Sequence, residues 1–173
     1  ASVVSSDGNK TTVQMGSGYR GDLWLARSGK GKIVNVTPAD YRYFAIKVGF
    51  KSQLVPGKNK PNGCIKLEIF DDGIKKIGPE YFGTGGDANN RYEILGASEI
   101  STTEPNVLYY DLQSKYKTVT PTDWNQVFDL VQCKFVIADF PETAQTYDLY
   151  WIRSFKSIEE LQAFVDSENN TNE

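Results

Sequence analysis

In the stretch RYFAIKVGF, residues 42–50, apolar and polar positions alternate, so that Phe44, Ile46 and Val48 share one face and Tyr43, Ala45 and Lys47 the other. That period of two predicts a strand with one face on a core. CIKLEIFDDG repeats the pattern, with Ile65, Leu67 and Ile69 inward and Lys66 and Glu68 outward, and then stops at an Asp-Asp-Gly turn signal. Further strands are predicted over residues 32–36, 92–95, 107–112, 131–138 and 147–152, with a weaker one over 21–25. Gly, Pro, Asn and Asp clusters separate these β-branched and aromatic runs, the spacing of an all-β sandwich or barrel.

Helical periodicity is confined to two places. In SIEELQAFVDSE, Ser157 and Glu160 form a capping box, and Ile158, Leu161, Phe164 and Val165 fall on one stripe, so a short packed helix closes the chain. Over residues 121–130, Thr122 or Asp123 can cap a turn carrying Trp124, Val127 and Phe128. The first ten residues are small and polar and the last seven rich in Asn and Glu, so both ends are expected to fray around a single domain of residues 11–166. A chain of 173 residues is the size of one domain.

Composition narrows the chemistry. The net charge is −3 without a clustered basic surface, which excludes the footprint of a nucleic-acid binder. No apolar run approaches the ~20 residues of a membrane-spanning helix. The chain contains no histidine, which removes Ser-His-Asp and Cys-His catalysis and the commonest transition-metal ligand. Cys64 and Cys133 form no CxxC motif and read either as two free thiols or as one disulfide.

The C-terminal run FVIADF, then TYDLYWIRSFKSIEELQAF, resembles the closing segment of the domain-of-unknown-function 4979 family, β-sandwich modules of glycan-utilisation proteins in Bacteroides-type bacteria. YRGDLWL and DYRYFAIKV look like that family's opening strands, and VLYYDL like its central one. The resemblance implies a galactose-binding-domain-like jelly roll on an outer-membrane lipoprotein that holds a glycan for import or degradation. It further implies a location on the outer face of the outer membrane or in the periplasm. The expected partners are an oligo- or polysaccharide and other surface glycan-utilisation proteins. Contact with the membrane is expected only through a lipid anchor that this chain does not carry, and nucleic acid is not expected. No cofactor is expected, although jelly-roll sugar modules often carry a structural calcium.

Sugar recognition needs apolar surface to stack on a pyranose ring and planar polar groups to pair with its hydroxyls. Trp124 is the first candidate platform, with packing of a helix as its other role. Trp24 faces out if Leu23 and Leu25 face in, and inward otherwise. In the Gly-rich stretch of residues 78–92, Tyr81 offers a second platform beside Phe82, and Asp87, Asn89, Asn90 and Arg91 offer hydrogen bonds; a solvated turn would use the same residues. Trp151 shares a face with Tyr147 and Leu149 under strict alternation and reads as core. Asp71 and Asp72 could contribute to a calcium site but serve equally as a turn. A carboxylate-dependent glycoside hydrolase would draw on Glu80, Asp87 or Asp111, though none stands in a motif. Three functional classes follow: a non-catalytic carbohydrate-binding module, a structural or protein-interaction domain, and a small hydrolase.

Overall fold

The computed structural model describes residues 2–15, 20–26, 34–36, 40–51, 64–70, 82–83, 92–112, 128–130, 132–138 and 146–171. Along these residues run β1 (Ser2–Ser6), β2 (Thr11–Gln14), β3 (Arg20–Ala26), β4 (Val34–Val36), β5 (Tyr43–Phe50) and β6 (Cys64–Phe70). They are followed by β7 (Phe82–Gly83), β8 (Glu93–Ile94), β9 (Asn106–Asp111), β10 (Phe128–Leu130), β11 (Gln132–Ala138), β12 (Thr146–Phe155) and the helix α1 (Ile158–Thr171). The fold is mostly antiparallel β-sheet with one C-terminal helix.

A six-stranded sheet has the order β1-β2-β12-β5-β9-β8, a four-stranded sheet the order β3-β11-β6-β7, and β10 pairs with β4. Every strand expected from the sequence is found, at least in part, among the described residues. The helix expected over residues 121–130 does not reach its C-terminal end, where Phe128–Leu130 is a strand laid against Val34–Val36, and residues 121–127 lie outside the described residues. Ladder hydrogen bonds from β4 outweigh a weak local preference there.

Of the expected inner face of β5, Ile46 and Val48 are fully buried and Phe44 half-buried, and Phe50 extends it, with Leu108, Tyr110, Val13 and Tyr147 from neighbouring strands. The opposite face is covered too. Ala45, Val107, Phe155 and Leu161 form a buried cluster there, with Tyr43, Tyr109, Trp151, Phe164 and Val165 around it. The helix lies over this face, and the small Ala45 side chain suits its close approach. One sheet is thus buried on both sides.

Trp151 reaches the helix side because β12 is irregular. Tyr147 pairs with Phe50 and Leu149 with Val48, but Trp151 pairs with Lys47, so one extra residue intervenes at Tyr150. Alternation alone puts Trp151 beside Tyr147. The bulge moves it to the other face, where its ring meets Phe164 at 5.3 Å and Phe155 at 6.2 Å. Its packing role stands; its face is corrected.

Two elements extend beyond the segment boundaries that the sequence suggests. At the N-terminal end β1 pairs with β2 across a turn in which Asp7 Oδ1 accepts hydrogen bonds from the N–H groups of Asn9 and Lys10, both at 2.9 Å. Gly8 supplies the turn's positive φ of 88°. At the C-terminal end α1 runs to Thr171, past Asp166. Ser157 caps it by accepting from the Glu160 N–H at 3.2 Å, while Glu160 Oε2 accepts from the Lys156 N–H at 2.7 Å.

The β6–β11 register also decides the cysteines. Cys133 lies opposite Ile69, whereas Cys64 lies opposite Ala138, five residues further along β11. That is about 17 Å of extended strand, far outside the ~7 Å limit for a disulfide between Cα atoms. The two thiols do not pair with each other.

Candidate functional site

Where α1 leaves the sheet, a cleft of about 480 Å³ opens between the helix and residues 94–105. The sheet contributes Lys47, Asn106 and Val107 at its base. Residues 94–105 contribute Ile94, Leu95, Gly96, Ala97, Ser101, Glu104 and Pro105, and the helix contributes Gln162, Val165, Asp166 and Asn169. Among the described residues aliphatic surface is thereby combined with carboxylates, amides and one ammonium, the mixture of a polar small-molecule site.

The loop side is held by its own hydrogen bonds. Asn106, buried to 4% exposure, donates from Nδ2 to the Ser101 carbonyl at 2.9 Å and accepts the Ser101 N–H on Oδ1 at 2.7 Å. The same Nδ2 lies 3.4 Å from the Val48 carbonyl, tying the loop to β5. Ser101 Oγ then accepts from the N–H groups of Thr103 (3.2 Å) and Glu104 (3.0 Å). The Leu95 N–H donates to the Val107 carbonyl at 2.9 Å, and Gly96 turns the chain with φ 73°. Glu104 therefore projects from a braced backbone.

The helix side is fixed by one carboxylate. Glu168 Oε2 accepts from Trp151 Nε1 at 2.9 Å and from Lys47 Nζ at 3.1 Å. An acid in the last turn of a helix opposes the helix dipole, and here an indole and an ammonium of the sheet compensate it. Gln162 Nε2 donates to Asp166 Oδ1 at 2.8 Å, which orients both side chains beside the cleft. Among the described residues no cationic side chain pairs with Glu104 or Asp166.

Most of the residues singled out from the sequence lie where the structure gives no description. Trp124, Tyr81, Asp87, Asn89, Asn90 and Arg91 lie outside the described residues, as do Asp71, Asp72 and Glu80. The Trp24 backbone lies in β3 opposite Lys134 of β11. Asp111 is engaged on both carboxylate oxygens by Arg42, from Nε at 2.8 Å and Nη2 at 2.7 Å. Among the described residues no group of three or more carboxylates or thiols is placed to hold a metal ion, and no helix is long and apolar enough to cross a membrane. Glu104, Gln162, Asp166 and Asn169 carry no sequence motif. The one available signal is that they are polar and flank apolar positions of two segments some sixty residues apart.

These features define a mostly β-sheet fold whose C-terminal helix packs on one sheet and forms one side of a braced polar cleft. Residues 1–161 match the model for the domain of unknown function DUF4979, and the chain belongs to that family. No curated protein and no solved structure matches it. The matched span covers the sheets and the first turn of α1, whereas the helix residues of the cleft lie just past it.

Proposed function

We propose that the protein is a non-catalytic carbohydrate-binding module that holds an oligo- or polysaccharide at the surface of a Gram-negative bacterium for import or degradation. The observation that carries this reading is the cleft between α1 and residues 94–105, where hydrogen-bonding side chains surround aliphatic surface on a fixed frame. Braced donors and acceptors suit sugar hydroxyls, because little conformational freedom is then lost on binding.

The same proposal includes a β-sandwich of jelly-roll type. The inner face of the six-stranded sheet is buried, so a second layer must cover it, and the four-stranded sheet is our assignment for that layer. A hydrolytic function is not favoured: Asp111, the one sequence-derived carboxylate candidate within the described residues, is clamped by Arg42. The location follows from the family resemblance, at the outer face of the outer membrane or in the periplasm.

A panel of soluble plant and host polysaccharides, read by thermal shift and by retardation in affinity gels, tests the function. At least one neutral glycan is expected to raise the melting temperature and slow migration. Absence of any response from folded protein contradicts it. Trp124→Ala, titrated in parallel by intrinsic fluorescence, tests whether that residue adds a platform.

One observation favours a second reading, a surface protein-interaction domain. β1 is an edge strand exposed along its whole length, with Val3 at 61% and Val4 at 57% exposure and no charged side chain. Such edges accept added strands.

A further inference from the structure

We infer that the cleft between α1 and residues 94–105 selects uncharged or amine-bearing sugars, grips them by their hydroxyl edge, and rejects uronic, sialic and sulfated glycans. This rests on the carbohydrate-binding function proposed above and adds the substrate class. Charge bookkeeping within the cleft carries it.

Among the described residues Lys47 is the only cation in the lining, and its ammonium is already 3.1 Å from Glu168, with its side chain 17% exposed. An anionic ligand would have to take Lys47 from a carboxylate that Trp151 also holds in place. The other formal charges that the described residues bring to the lining are both negative: Glu104 on the loop side and Asp166 on the helix side, neither paired with a cation among the described residues. Like-charge contacts at about 4 Å beside an exposed carboxylate each cost on the order of tenfold in affinity. Anionic sugars meet two of them.

The shape of the grip follows from what the lining contains. Among the described residues no aromatic side chain contributes to it, so these residues offer no flat platform for the face of a pyranose. A carboxylate can instead accept from two neighbouring hydroxyls at once, and the Asn169 amide offers both a donor and an acceptor. Asn106 and the Ser101 backbone satisfy each other and serve as the frame rather than the grip. Aliphatic surface from Ile94, Leu95 and Val165 meets the C–H groups beside those hydroxyls.

The test is calorimetric titration with matched pairs of oligosaccharides, neutral gluco-, manno-, galacto- and xylo-oligomers against oligogalacturonate and oligomannuronate. It uses the whole chain and three variants: Glu104→Gln with Asp166→Asn, Ala97→Trp, and exposed Ala163→Ser as control. The expected result is saturable binding of a neutral oligomer, at least tenfold weaker binding of its acidic counterpart, and a narrowed gap in the double amide variant. Ala97→Trp, which fills the cleft from an exposed position, should abolish binding while the melting temperature stays within a few degrees.

Acidic oligomers binding as well as neutral ones would overturn the selectivity and leave the carbohydrate-binding function standing. Neutral binding that survives Ala97→Trp unchanged would overturn the placement of the site, again leaving the function. Silence from every oligosaccharide would overturn the function and the inference together.

Discussion

Trp151 and Glu168, seventeen residues apart and on different elements, share a hydrogen bond of 2.9 Å from the indole Nε1 to the carboxylate Oε2. Lys47 reaches the same oxygen at 3.1 Å, so the end of α1 is pinned to β12 and β5 together. Together with the packing of Leu161, Phe164 and Val165, this pin holds the helix residues 162–169 opposite the loop that faces them.

Glu168→Ala should therefore loosen the last turns of the helix more than it destabilises the whole fold. We expect a loss of about 1–2 kcal/mol in urea unfolding. Faster hydrogen exchange should be confined to residues 165–171, and iodide should reach Trp151 more readily. Glu168→Gln keeps an acceptor for the indole and should lie between the two. Exchange rates that do not change would mean that aromatic packing alone holds the helix.

Leu161 is fully buried in the cluster with Ala45, Val107 and Phe155. Leu161→Ala is expected to cost about 2–5 kcal/mol, read as a lower urea midpoint with little change in slope. A cost near that of an exposed helix position, within about 0.5 kcal/mol, would show that the helix is not part of the core.

How much of this was legible beforehand depended on whether the signal was local. The alternation of residues 43–50 and the Ser157 capping box state their elements outright, because the period and the cap are properties of neighbouring residues. The face of Trp151 was not legible, since the Tyr150 bulge is set by pairing with β5 and inverts the alternation after it. SVVSS reads as a polar end, and only Asp7 and Gly8 hint at the hairpin that makes it a strand. The cleft was invisible for a related reason: Glu104 and Asp166 become neighbours of one space only through the packing of α1 on β9 and β5. Composition had drawn attention instead to Trp124 and residues 81–91.

The hairpin of β1 and β2 depends on Asp148. Its Oδ1 accepts from Thr12 Oγ1 at 2.6 Å, its Oδ2 from Lys10 Nζ at 2.9 Å, and Lys51 Nζ stands 3.7 Å away. Burial pushes this carboxyl up, but the Thr12 hydroxyl and the two ammonium groups outweigh it, and the net shift is downward. A carboxyl lowered by folding contributes stability above its unfolded value near 3.8, and that contribution is lost as pH falls through the lower folded value. Asp148→Asn should cost about 1–2 kcal/mol at pH 7 and flatten the loss of stability below pH 4. An unchanged acid profile in the variant would assign that loss to other carboxylates.

Lys10 responds in the opposite sense. Its hydrogen bond to Asp148 raises its value above 10.5, so the contribution is complete below that point and lost as pH rises through the folded value. Lys10→Met should therefore leave the acid limb largely in place while flattening the alkaline one. The paired urea titrations at pH 9 and pH 11 check it.

Gly8 has φ 88° with open space where a Cβ would lie, so Gly8→Ala meets backbone strain alone. We expect a cost of about 1 kcal/mol, seen by exchange as fraying of β1 rather than as a change at Tyr43–Phe50. No cost would mean that the turn adopts another conformation in solution.

The central claim is that the cleft beside α1 binds sugar, and calorimetric titration of wild type and Ala97→Trp with neutral oligosaccharides tests it most directly. Saturable heat from wild type, lost in a variant that remains folded, is the result expected. Heat that is equal in both proteins would contradict the site, and no heat from any oligosaccharide would contradict carbohydrate binding itself.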